Sequence, residues 1–397
     1  MIFGGASVEH EVSVITGIQA FHALRDTPYE PIPIYVDKSG KWFTGILLSE
    51  IDRYRDPKEL TRSATPVSPA SDPAARLVLV ETKKGLFSRP SRLSVDVLLL
   101  AMHGSEGENG SLQGLCETLN VPYTGSDVTA SAIGMDKSVA KTLCAAVGVP
   151  VVDSVVVREH EWRGQEDARL RQCEGALGFP MIVKPCRLGS SIGIDKVGNA
   201  EELESAIEDC LRLDEKILIE KCVAPLREFN CSVIGDVQST RVSVIEEPVR
   251  VEGAALLSFE QKYQRGGKNS ASKSRVGGQG MASLDRIIPA EIPEELAANI
   301  RRLADRIFRT LGCAGVARID FLFDEPGRQL YFNEINTIPG SFSFYLWKPA
   351  GLEFDELLTS QIEMAIERHR RKLGKIHSYD TDLLSRNALR GVKGKTG

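Results

Sequence analysis

Two carboxylates and an amide stand close together in ARIDFLFDEPGRQLYFNEINT, residues 317–337. Apolar alternation on each side of DEPG predicts two strands joined by a turn. Glu334 and Asn336 are two apart and share a strand face, and Asp320 can face them across the hairpin. Three hard oxygen donors so arranged suit Mg²⁺ shared with phosphates. Arg318 shares the face of Asp320 and could neutralise a developing oxyanion. A solvated hairpin with charge pairs would contain the same residues. The flanking FLF and LYF, however, imply burial, where unpaired carboxylates are costly.

A second stretch, MIVKPCRLGSSIGI at 181–194, sets Lys184 before a Gly/Ser-rich loop. It lacks G-x-x-x-x-G-K, and Ile192, Ile194 and Val197 read as a returning strand instead of a helix. A hairpin with a glycine tip can wrap phosphates with backbone N–H groups while Lys184 adds a point charge. An ordinary surface hairpin has the same outline. In LIEKCVAPLREFN, 218–230, an apolar strand runs into a linker. Its backbone could meet an adenine edge, with Glu220 and Glu228 accepting from the amino group and the ribose hydroxyls. KYQRGGKNSASKSR, 262–275, has five basic residues spaced by Gly and Ser. It reads either as a solvated loop or as a lid over phosphates. GGASVEHE places Glu9 just before an expected helix start, where the helix end attracts a carboxylate and Glu9 attracts an ammonium; both together fit an amino acid.

The elements that must hold these groups are those of an α/β chain. The first strand, MIFGG, leads to a helix with Val14, Ile18, Phe21 and Leu24 at helical spacing and Ser13 as its expected cap. Met1 opens inside that strand, so a few residues are expected to be missing or the start misassigned. Strands follow at 31–37, 76–81 and 95–104, the last running into a polar loop, HGSEGENGSLQG. Residues 50–75, rich in charge, Pro and Ser, are expected to form a peripheral insertion. DKSVAKTLCAAVGVP reads as a helix ended by Gly148. A strand is expected at FNCSVIGD and a helix near 292–311. The polar tail, 373–397, is expected to be disordered.

The 397 residues suit two or three domains. With 42% hydrophobic and 26% charged residues the chain reads as soluble and globular. A net charge of −5 gives no reason to expect nucleic-acid or membrane binding. No apolar run could span a bilayer, and no signal-peptide pattern opens the chain. Eight cysteines without a C-x-x-C pair point to buried thiols in a reducing cytoplasm, and six scattered histidines argue against zinc.

Taken together, FGGASVEHEVS, AMHGSEGENGSLQG, VPYTGS, MDKSVAK, GFPMIVKPCRLGSSIG, IEKCVAPLREF, the KY at 262–263 and ARIDFLF…NEINTIPG make the chain resemble the D-alanine–D-alanine ligases of the ATP-grasp superfamily. The motifs keep the family's order over about residues 2–345. The resemblance implies an α/β, Rossmann-like N-terminal domain over 1–128, with an insertion at about 40–92. Two α+β ATP-grasp units that clamp ATP would follow, at 129–223 and 224–372, with a lid at 252–280. It implies that Lys137, Lys184 and Lys262 contact phosphates, that Glu220, Lys221 and Val223 line the adenine pocket, and that Glu228 holds the ribose. Asp320, Glu334 and Asn336 would bind two Mg²⁺ ions, with Mn²⁺ as an alternative. Arg318 would stabilise the acyl phosphate. Glu9, with His103 nearby, would hold the first D-alanine, and Ser190 and Tyr263 would link Glu9 to the lid. A homodimer is also implied. Two departures stand out. The segment PGSFSFYLWKPAGLEF looks shortened where the family's serine receives the second substrate, leaving Gly340, Ser341, Ser343 and Tyr345 as candidates. Phe259 stands where a tyrosine is common. The same chemistry with D-lactate, D-serine or another amine, or a nucleotide-binding relative without catalysis, are the rival readings.

Overall fold

The computed structural model describes residues 1–72, 76–82, 90–249, 286–376 and 378. Lys262, Tyr263, Phe259, the expected lid at 252–280 and nearly all of the expected disordered tail lie outside the described residues.

Three sheets organise the described chain. Strands β1 (Ile2–Gly4), β2 (Ile34–Val36), β3 (Trp42–Thr44), β4 (Thr65–Asp72), β5 (Arg76–Glu81) and β6 (Arg92–Val95) form the first, in that order. β7 (Ser154–Arg158), β8 (Met181–Pro185), β9 (Asp195–Val197) and β10 (Lys216–Lys221) form the second, ordered β7-β10-β8-β9. β11 (Leu226–Gly235), β12 (Thr240–Pro248), β13 (Arg286–Ile287), β14 (Gly315–Asp324) and β15 (Gln329–Asn336) form the third, ordered β13-β12-β11-β14-β15.

The first helix, His10–Leu24, buries Val14, Ile18, Phe21 and Leu24 as their spacing predicts. Ser13 does not cap it. Glu9 is the N-cap residue, without a side-chain cap bond. Ser13 lies in the first turn, fully buried, where its hydroxyl donates to the Ala101 carbonyl and accepts from Gly4 N–H. It ties the helix to β1 instead of closing its end. Gly17 packs directly on β1, and a Cβ there would stand 2.4 Å from the Phe3 ring and 2.6 Å from Phe3 Cβ. Gly17→Ala would gain about 0.5–1 kcal/mol of helix propensity but overpack the core by about 1–3 kcal/mol. Net destabilisation is therefore expected. A denaturant midpoint equal to or above that of the unmodified protein would refute this packing.

Four other expectations are corrected. Residues 50–75 are not merely peripheral, since Thr65–Asp72 forms β4 inside the first sheet, paired with β3 and β5. The alternation there is irregular because the strand carries two prolines, which hid it. The strand expected at 95–104 is divided. β6 ends at Val95, and Leu98 and Leu100 make isolated parallel bridges to Tyr123 and Ile2. The loop HGSEGENGSLQG contains two short helices, Ser105–Glu108 and Ser111–Thr118. The phosphate-type hairpin forms, Met181 opposite Val197 and Val183 opposite Asp195, but the return strand starts at Asp195, not Ile192. Ser190 and Ser191 both have positive φ, 54° and 59°, so the tip turns before it extends.

Apolar side chains from 338–362, including Phe342, Trp347, Leu357 and Ile362, share one core with the first sheet. The helix Glu294–Thr310 packs its apolar stripe on the third sheet, with Phe229, Ile319 and Phe332. The second sheet has a separate core around Trp162, Val183 and Ile219. All eight cysteines are free thiols, and only Cys222 is not buried.

Candidate active site

β14 and β15 pair so that Asp320 stands opposite Glu334 and Arg318 opposite Asn336, and a bulge follows Asp320. The four polar groups therefore converge as the two-residue period requires. Arg318 grips Asp320 with two parallel bonds, Nε to Oδ1 and Nη2 to Oδ2, both 2.7 Å. Asn336 Nδ2 donates to Asp320 Oδ2 at 3.3 Å. Burial opposes the charge on Arg318, but the Asp320 carboxylate outweighs it and holds the guanidinium well above its ordinary range.

Two lysines meet this hairpin from other elements. Lys137 opens the helix Lys137–Ala146, which Asp136 caps through Ser138 and Val139 N–H. Its own N–H donates to the Cys186 carbonyl at 3.0 Å, docking the helix on the end of β8. Lys137 Nζ lies 3.2 Å from Glu334 Oε2 and donates to the Leu188 carbonyl at 2.5 Å. Burial lowers its basicity, but Glu334 reverses this and its pKa is raised. Lys184, on β8, lies 2.6 Å from Glu220 Oε2 and donates to Asn333 Oδ1 at 3.1 Å.

These groups line a cleft of about 270 Å³ between the second and third sheets. Lys184, Arg318, Asp320 and Glu334 form its polar wall, and Lys221, Val223 and Glu228 line it too. Lys137 and Asn336 line an adjoining recess with Glu108 and Gly189. The carboxylate of Glu220, expected at an adenine edge, lines the cleft and bridges Lys184 and Lys141, and all three side chains are buried. Lys141 and Asn333 were not singled out from the sequence. Lys141 could have been, because it stands four residues after Lys137 and shares its helix face.

Glu9 is buried, and Ser190 Oγ donates to its Oε1. The hairpin tip thus touches the first helix 181 residues away in sequence. Gly189 permits this, since a Cβ there would stand 2.9 Å from Glu9 Oε2. His103 Nε2 is 2.9 Å from Thr16 Oγ1, and the same hydroxyl oxygen accepts from Ser341 N–H at 3.0 Å. Burial lowers the His103 pKa to about 4, so the ring is neutral near pH 7. Glu108 accepts from Gly104 N–H at 2.8 Å and Ile338 N–H at 3.3 Å. Burial, then the charge of Glu9, pushes its pKa up to about 8. Thr16 and Glu108 were also missed, and their roles rest on contacts with no local signature.

Past Pro339 the chain makes a tight turn, Gly340–Ser343, in which Ser341, Phe342 and Ser343 have φ of 52°, 51° and 52°. Three consecutive side-chain-bearing residues in the left-handed region are costly and persist only where surrounding packing fixes them. Ser343 Oγ is buried with no hydrogen-bond partner among the described residues. The Tyr345 hydroxyl donates to Glu246 Oε1 at 3.4 Å, and Arg286 stacks on its ring at 4.2 Å.

Residues 1–126 match the family description "D-ala D-ala ligase N-terminus" and residues 143–363 match "D-ala D-ala ligase C-terminus". The D-alanine–D-alanine ligase of Thermosipho melanesiensis is 38% identical over 384 residues, 97% of each chain.

The chain belongs to the D-alanine–D-alanine ligase family.

Among solved structures, the D-alanine–D-alanine ligase from Coxiella burnetii superposes with a TM-score of 0.74 at 27% identity, covering 94% of each chain. VanG D-Ala:D-Ser ligase from Enterococcus faecalis gives 0.73 at 29% identity, covering 92% of this chain and 98% of that one. The fold is the ATP-grasp fold of this ligase family. No helix among the described residues is long and apolar enough to cross a membrane.

Proposed function

We propose that this ligase joins two D-alanines at the expense of ATP, giving D-alanyl-D-alanine for peptidoglycan synthesis. The single observation that carries the reading is the convergence of the acidic hairpin and two buried lysines with Glu9, which the loop residue Ser190 reaches. Lys137 and Lys184 hold the phosphates, Glu220, Lys221 and Val223 border the adenine and Glu228 holds the ribose. Lys262 and Tyr263 keep the roles given above as part of the proposal. Glu9 holds the ammonium of the first D-alanine and Ser190 orients Glu9, with neutral His103 fixed through Thr16.

Asp320, Glu334 and Asn336 fit a divalent ion, because they are hard oxygen donors on one face and each carboxylate is matched here by a protein cation. Asp320, Glu334 and Asn336 would hold Mg²⁺, two ions on the resemblance, which would supply positive charge against that of the phosphates. The first D-alanine carboxylate attacks the γ-phosphorus and ADP leaves, giving an acyl phosphate. The amine of the second D-alanine attacks its carbonyl carbon and phosphate departs. Arg318, held flat by Asp320, faces the oxyanion that forms. The protein contributes mainly positioning and charge. The resemblance extends the proposal to a cytoplasmic homodimer.

A phosphate-release assay with paired D-amino and D-hydroxy acids, with products weighed by mass spectrometry, tests this. D-Alanine alone is expected to support release and yield the dipeptide. Preference for D-lactate or D-serine, or ATP binding without amino-acid-dependent ADP release, would overturn it.

The second-substrate carboxylate needs a donor past Pro339. Ser343 carries a spare hydroxyl, whereas that of Tyr345 is engaged. Ser343→Ala is expected to raise the second-substrate KM about 2- to 12-fold, the loss of one hydrogen bond of about 0.5–1.5 kcal/mol. The first-substrate KM should stay unchanged. Equal KM values in variant and parent would remove Ser343 from the site.

A further inference from the structure

Lys141 does not line the nucleotide cleft, yet it is one of the most buried cations among the described residues. Its side chain is 4% exposed, that of Lys184 5% and that of Glu220 3%. Lys141 Nζ bonds Glu220 Oε1, while Lys184 Nζ lies 2.6 Å from the other oxygen, Oε2. One carboxylate thus serves two ammonium groups, and the trio carries one net positive charge. Only Lys184 and Glu220 border the cleft, with Asn333 holding Lys184 from the opposite sheet.

We propose that Lys141 is a positioning residue of the phosphate site, drawing Glu220 back so that the charge of Lys184 remains available to ATP. The inference rests on the reading of the cleft as an ATP site. The physical argument is one of competition. A carboxylate paired with Lys184 alone would cancel its charge and compete with phosphate for its N–H donors. With Lys141 taking half of the carboxylate's hydrogen-bonding capacity and matching its charge, the excess positive charge is left at the cleft wall. Lys141 is placed for this by its helix. It follows Lys137 by four residues, so the two project from one face toward β8 and β10. Docking of the helix start on Cys186 and the Lys216–Asp136 pair at 2.8 Å fix that face.

The test is ATP·Mg²⁺ binding by calorimetry together with steady-state kinetics on the full chain. Lys141→Met keeps the unbranched shape and most of the side-chain length and removes the charge. It is expected to weaken ATP binding about 10- to 100-fold, the usual cost of losing a partner that orients a binding group from behind. KM for D-alanine should stay within about twofold, because uniform weakening at one substrate moves that constant alone. Lys141→Arg should bind ATP nearly as the parent does. The decisive variant is Lys141→Met/Glu220→Gln. If Lys141 acts through Glu220, removing the carboxylate frees Lys184 again and recovers most of the lost affinity. A double variant that binds ATP as weakly as Lys141→Met or worse overturns the proposal. So does an Arg variant as impaired as the Met variant, or a Met variant with parental affinity. Should Lys141→Met fail to fold, the Arg and double variants still decide. A parent protein that binds ATP but does not ligate D-alanine would refute the proposed reaction and leave this test standing.

Discussion

Glu334→Gln is expected to lower kcat about 10²- to 10³-fold, the usual cost of removing one strong electrostatic contact to a charged transition state. The change keeps shape and removes one charge from the face shared with Asp320 and Asn336. Two consequences separate it from simple damage. The Mg²⁺ concentration for half-maximal activity should rise, since one hard anionic donor becomes neutral. Lys137 also loses the partner that raises its pKa against burial. Its protonated form should then be lost at lower pH, so activity on the alkaline side should fall earlier than in the parent. Near-parental kcat with unchanged Mg²⁺ dependence would sink the assignment of this hairpin.

Lys184→Ala should cost turnover on a similar scale, about 10²- to 10³-fold, with the fold retained. The ammonium is the cleft's direct cation from the glycine hairpin, and Glu220 keeps Lys141 as a partner when it is lost. Rapid-mix measurement of acyl-phosphate formation would place the defect at phosphoryl transfer. A variant that transfers phosphate at the parental rate would show that Lys184 does not contact the phosphates. The two substitutions act on facing walls of one cleft, joined through Lys184 and Asn333 beside Glu334. Their combined effect is expected to be less than the product of the single effects.

What the sequence by itself determined was local. Alternation with a period of two placed Asp320, Glu334 and Asn336 on one face, because a strand permits only two faces and burial selects one. The glycine-tipped hairpin after Lys184 and the helix behind Glu9 were legible for the same reason, as each is specified by neighbours within about a dozen residues. Family motifs added which reaction such groups serve. β4 escaped because its prolines and polar residues mask a strand, and the other strands of the sheet specify it. Tertiary structure alone decided who pairs with whom. Lys141 and Glu220 are 79 residues apart, Lys184 and Asn333 are 149 apart, and Ser190 meets Glu9 across 181. No periodicity reports such encounters. In the low-dielectric interior each charge must find a partner, and which one it finds depends on how the three sheets pack. Glu220 therefore reads as a possible adenine contact in sequence and becomes the shared anion of two lysines once the chain is folded.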